Sequence, residues 1–111
     1  MAASLDDAAT LDVIRDLYHR TGYLADPHTA VGIGAALRCR ARDPEAAERP
    51  VVCMATAHPA KFPDAVEQAT GVRPALPDHM ADLFDRPERY DVLPFDVAAI
   101  RAHLERCVGA G

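Results

Sequence analysis

The chain has 111 residues, of which 12 are Lys or Arg and 17 are Asp or Glu, leaving a net charge of −5. Half of it is apolar, but alanine supplies 22 residues and Leu, Ile, Val and Phe together only 24, so any core must be built from small side chains. One domain at most fits this length, the interleaved charges give no basic stripe for nucleic acid, and the longest apolar run, Val51 to Ala55, is far short of the ~20 residues that span a bilayer.

Leu11, Ile14, Leu17 and Tyr18 recur at helical spacing, Thr10 or Asp7 can cap the start and Gly22 can end the segment, which predicts a helix over residues 8 to 21. A second start follows at Asp26-Pro27, an acceptor for free amides followed by a residue suited to the first helical position. Ala30, Ile33 and Leu37 then share one face of a helix running to Arg42. Gly32 and Gly34 lie inside it at about 1 kcal/mol each relative to Ala, either because something approaches that backbone or because they are simply tolerated. Residues 43–50 read as a polar loop.

Pro50 to Thr56 is apolar without alternation, the pattern of a strand covered on both faces in a parallel sheet. Pro59 and Pro63 open a third helix with Phe62, Ala65, Val66 and Ala69 on one face and Gly71 at its end. Residues 72–89 carry Pro74, Pro77 and Pro87 around one apolar piece, Met80 to Phe84, which supports no more than a helical turn. Tyr90 to Leu93 reads as a short second strand, and Asp96 caps a last helix whose stripe is Val97, Ile100, Leu104 and Cys107. The expected fold class is α/β, with helices packed around one or two strands of an incomplete parallel sheet. A doubly covered strand needs neighbours on both edges, so the chain is expected to be a fragment or half of an assembly.

Cys39, Cys53 and Cys107 are odd in number and far apart, which argues against a disulfide framework and a zinc site and leaves buried free thiols as the expectation. The acidic start has neither a basic region nor an apolar one, so a soluble, cytoplasmic protein without a membrane segment is expected. His19, His79 and His103 have no partner at ligand spacing, and no metal site is expected.

In open α/β sheets ligands bind in the loops that lead from strands into helices. Here that place is Thr56 to Phe62, which gathers a hydroxyl, the His58 imidazole and the sole lysine, Lys61, ahead of a helix start that favours anions. The plainer reading is that Thr56 satisfies local amides, His58 bonds within its loop and Lys61 points into water. The second cluster is Asp26 to Thr29: Asp26 is most simply a cap, while His28 and Thr29 project from the first turn, where a ligand could meet them.

Across Arg15 to Gly32, Ala55 to Val66 and Thr70 to Pro77 the sequence resembles the carboxyl-terminal part of threonine synthase, a pyridoxal-phosphate enzyme, and the likeness extends over residues 6 to 105. The resemblance implies the fold-type-II arrangement, with residues 1–111 a single segment completing the larger, cofactor-binding domain. It implies that Thr56 is the hydroxyl that bonds the pyridine nitrogen and that His58 and Lys61 shape the loop around it, with His28 and Thr29 as further candidates beside the active site. The family converts O-phosphohomoserine and water to L-threonine and phosphate. Its Schiff-base lysine and the loop holding the cofactor phosphate belong to the amino-terminal part, which becomes the expected partner. No glycine-rich phosphate cradle occurs here and the sole lysine lies in another motif, so the segment by itself is expected to be inactive. The competing expectation is a non-catalytic binding or interaction module derived from that enzyme.

Overall fold

The computed structural model describes residues 2–43 and 49–109, so most of the loop expected over residues 43–50 lies outside the described residues. Helix α1 spans Asp7–Thr21. Its cap is Asp6, whose Oδ1 accepts the Ala9 N–H at 2.8 Å, one residue ahead of the expected Asp7 and four ahead of the alternative Thr10. Thr10, one of those candidates, is buried and donates its hydroxyl back to the Asp6 carbonyl at 2.8 Å. Gly22 ends α1 as the sequence indicates: at φ 73° it occupies the left-handed region and its N–H reaches the Tyr18 carbonyl at 2.8 Å.

Helix α2 spans Pro27–Ala41 and starts on the expected Asp26-Pro27 pair. A 3₁₀ turn over Pro59–Lys61 leads into α3, Pro63–Thr70, which ends at Gly71 with φ 74° and a 2.7 Å bond to the Glu67 carbonyl. α1 packs against both α2 and α3. The core is small: Ile14 of α1, Ala30 of α2 and Ala69 of α3 form one cluster with Leu11 and Val13 packed against them, and Ala25 and Val66 are also buried. Arg15 adds a polar tie, its Nε donating to the Ala69 carbonyl at 3.2 Å, where a cation suits the carboxyl end of α3.

The two α2 glycines prove unlike. Gly34 is buried, and a Cβ there would press into the Leu5 side chain and lie 3.1 Å from Val13 Cγ2, so the close approach is real at this position. At Gly32 a Cβ meets nothing within 4 Å. Gly32→Ala is therefore expected to raise stability by about 1 kcal/mol, the helix-propensity difference, whereas Gly34→Ala must spend that gain moving Leu5. Paired thermal melts check the contrast, and equal shifts for the two variants would refute it.

The strands are where the structure departs from expectation. Among the described residues there is no strand: neither Pro50 to Thr56 nor Tyr90 to Leu93 is laddered, and Val52 and Met54 are 86% and 73% exposed rather than covered. The reason is pairing, since a strand exists only by exchanging backbone hydrogen bonds with a neighbour and no such neighbour occurs among the described residues. What is present is helical.

The chain divides into two compact units, Met1–Asp78, which holds α1 to α3, and His79–Gly111. In the second, a 3₁₀ turn over Leu83–Asp85 is followed by α4, Val97–Gly109, with Asp96 Oδ1 accepting the Ala99 N–H at 2.8 Å as the predicted cap. The stripe expected to be buried on α4 is not: Val97, Ile100, Leu104 and Cys107 are all exposed. The cysteines are free, as expected, but only partly covered at Cys39 and Cys53. No described helix is long and apolar enough to cross a membrane, and no group of metal-ligating side chains assembles among the described residues.

Candidate functional site

The two clusters singled out in the sequence meet. Asp26, only 1% exposed, lies at the head of α2 and uses both carboxylate oxygens. Oδ1 accepts the His28 N–H at 2.9 Å and the Thr29 N–H at 3.2 Å, while Oδ2 accepts the Thr29 hydroxyl. Burial pushes the Asp26 carboxyl up, but the Thr29 hydroxyl, the two amides and the nearby His28 ring outweigh it and hold it below the ordinary carboxylate range. Thr29, 3% exposed, then accepts the Thr56 N–H at 3.3 Å through its own oxygen. Residues 27 positions apart are thereby joined.

Around this axis the other candidates separate. His28 is exposed, with Nδ1 3.5 Å from Asp26 Oδ1, and its ring lies against Phe62 at 4.9 Å between centroids. Lys61 sits with Nζ 5.9 Å from the same Phe62 ring. Phe62 thus links the two clusters, a role sequence spacing gave no sign of. His58 turns inward on its own loop: Nδ1 accepts the Ala60 N–H at 3.1 Å and caps the 3₁₀ turn, as the plainer reading of that residue had it. The Thr56 side chain is exposed and its hydroxyl has no hydrogen-bond partner among the described residues.

An open groove of about 770 Å³ runs beside the loop, lined by Tyr23, Leu24, Ala57, His58, Arg73 and Pro74 among others. All three stretches that carry the resemblance contribute to it, but Thr56 is not part of its wall. Arg73 spends its charge on Asp64 and Glu67, at 2.9 and 2.5 Å, and those bonds raise it above its ordinary value. The groove and the Asp26–Thr29–Thr56 chain are therefore neighbouring features rather than one site.

Comparison with known proteins gives this geometry a context. A family model described as the C-terminal part of threonine synthase matches residues 29–104, which include Thr29, Thr56, His58 and Lys61. Threonine synthase of Pseudomonas aeruginosa is 45% identical over 104 residues, 93% of this chain and 21% of that protein. The threonine synthase of Schizosaccharomyces pombe is 43% identical over 102 residues, 92% of this chain and 18% of its own length. The crystal structure of PLP-bound threonine synthase from Brucella melitensis superposes with a TM-score of 0.62 at 35% identity, covering 87% of this chain and 20% of that one. The chain thus spans about a fifth of the length of the curated relatives it matches. With a family match that covers most of its residues, the chain belongs to the threonine synthase family and corresponds to its C-terminal part.

Proposed function

We propose that residues 1–111 act as the C-terminal part of the large cofactor-binding domain of a fold-type-II threonine synthase, converting O-phosphohomoserine and water to L-threonine and phosphate. An amino-terminal part completes the enzyme and carries the lysine and the phosphate loop. The observation behind this reading is the family match over residues 29–104, which takes in Thr56 together with the Thr29 that holds it. Pairing of residues 50–56 with strands of that part accounts for an apolar segment that is exposed here.

Thr56 suits pyridoxal phosphate in one respect that can be read from its surroundings: a hydroxyl on an anchored backbone, with no hydrogen-bond partner among the described residues, can meet the ring nitrogen. When bound, the cofactor supplies an electron sink for charge developing on the substrate carbons as phosphate leaves. The Thr56 hydroxyl, a far weaker acid than a carboxylic acid, holds the ring nitrogen without giving it a full positive charge, which moderates that sink. His28, Thr29, His58 and Lys61 shape the surrounding loops, and none is assigned a proton.

A chimera tests the reading. Residues 1–111 replace the matching fifth of the P. aeruginosa threonine synthase, and phosphate release from O-phosphohomoserine is measured. Turnover comparable to the parent is expected; a folded, cofactor-loaded chimera without turnover refutes the assignment. In the same protein Thr56→Ala is expected to cost about 1–3 kcal/mol of cofactor binding, roughly five- to 150-fold in Kd. Unchanged affinity removes Thr56 from the site.

A further inference from the structure

A helix cap needs one acceptor oxygen and ordinarily sits in water, where its second oxygen is hydrated. Asp26 does neither: it is 1% exposed and its second oxygen is occupied by the Thr29 hydroxyl. The arrangement has a directional consequence. An ionised carboxylate can only accept, so the single proton of the Thr29 hydroxyl must point at Asp26 Oδ2. The lone pairs of Thr29 Oγ1 are then turned toward the neighbouring loop, where the Thr56 N–H donates to them at 3.3 Å. Were the hydroxyl free to rotate, its proton could equally face that N–H and repel it. A threonine at the third position after the cap is what lets one side chain face both the cap and the loop.

We propose that Asp26 and Thr29 are positioning residues for Thr56: the carboxylate fixes Thr29 as an acceptor, Thr29 fixes the Thr56 backbone, and the Thr56 hydroxyl is thereby set for its ligand. The last step rests on Thr56 being the ring-nitrogen contact proposed above; the first two concern this chain alone. The relay explains why a carboxylate is buried at a helix start that an exposed Ser or Asn would cap equally well.

Two measurements test it. In the 111-residue chain, residue-resolved amide exchange reads the Thr56 N–H directly: Thr29→Val is expected to speed its exchange about tenfold or more, with the amides of Ile33 to Leu37 unchanged, and Thr29→Ser is expected to restore protection. Asp26→Asn serves as the second variant, because it keeps an oxygen for the cap, yet whichever way its amide turns at least one of the three donors loses its acceptor. It too is expected to release the Thr56 amide while α2 stays protected. In the chimera, Thr29→Val and Asp26→Asn are expected to shift the absorbance spectrum of the bound cofactor and raise its Kd as Thr56→Ala does, with Thr29→Ser close to the parent. Thr29→Val added to Thr56→Ala is expected to cost nothing further, since both act through one contact.

The failures separate. A harmless Thr56→Ala overturns the ring-nitrogen reading, and with it the last step of the relay, but leaves the exchange result standing. A damaging Thr56→Ala alongside neutral Thr29→Val and Asp26→Asn overturns the positioning role alone. A Thr56 amide that exchanges equally fast in wild type and Thr29→Val also overturns it, whatever the cofactor does.

Discussion

Replacing Ile14 with alanine lowers the unfolding free energy by about 2–5 kcal/mol. Ile14 is fully buried and is the only large side chain in the cluster it forms with Ala30 and Ala69. The buried residues it meets across the α1–α2 and α1–α3 contacts are alanines, which have no rotamers with which to swing into the space left behind, so only the partly buried Leu11 and Val13 can lean into it. The cavity therefore closes incompletely, which keeps the loss within the range for such truncations. A chain this size holds only about 5–15 kcal/mol in all, so the variant forfeits a large share of its stability. Ile14→Val, which removes one methylene, is expected to lose about 1 kcal/mol. Val52→Ala, at an 86% exposed position, is expected to stay within about 0.5 kcal/mol of wild type. Urea midpoints followed by far-ultraviolet circular dichroism rank the three, and an Ile14→Ala midpoint no lower than that of Val52→Ala would mean that α1 does not seal against α2 and α3.

The same alanine richness decides what could be read in advance. Helix ends were legible because capping is local: Asp26-Pro27, Gly22, Gly71 and Asp96 each announce themselves within four residues, and all four stand where expected. The exception is Asp6, which caps α1 in place of the neighbouring Asp7 or of Thr10 four residues on. Strands were not legible in the same sense. The apolar run at Val51 to Ala55 records that a surface is to be covered, but it carries no information about which chain covers it, and here Val52 and Met54 stand exposed. The stripe on α4 misleads in the same way, its Leu104 remaining 57% exposed. Periodicity identifies a sticky face; only tertiary partners make it a core.

For the candidate site the limit was distance along the chain. His28, Thr29, Thr56, His58 and Lys61 could be picked out as side chains at helix entries, since free amides and polar residues gather there. Nothing in the spacing says that Thr29 and Thr56 touch, or that His28 and Lys61 share Phe62. Asp26-Pro27 marks a cap and Asp26 is one; its second oxygen, which turns the cap into a link between two loops, has no signature beyond the threonine three positions later.

That second oxygen makes Asp26→Ala the other large effect, and one with a pH signature. At neutral pH the variant is expected to be about 2–4 kcal/mol less stable: about 1 for the lost cap, and the remainder for the Thr29 hydroxyl and amide left buried without an acceptor. Because the folded carboxyl is held below its ordinary value, the contribution is present in full above the unfolded pKa of about 3.9 and is lost as pH falls through the folded one. In that window the unfolded chain binds a proton that the folded chain refuses, so acid favours unfolding. Wild type should therefore lose stability faster than Asp26→Ala from about pH 5 downward, the two curves converging once both states of Asp26 are protonated. Asp26→Asn, which cannot ionise, should share the flatter acid limb while starting from a higher plateau than Ala, since its amide oxygen still caps α2. Urea titrations between pH 7 and pH 2 give all three curves. Parallel acid limbs for wild type and Asp26→Ala would mean that the carboxylate is not held in its charged form by Thr29, and the direction of the Thr29 hydroxyl, on which the link to Thr56 depends, would lose its cause.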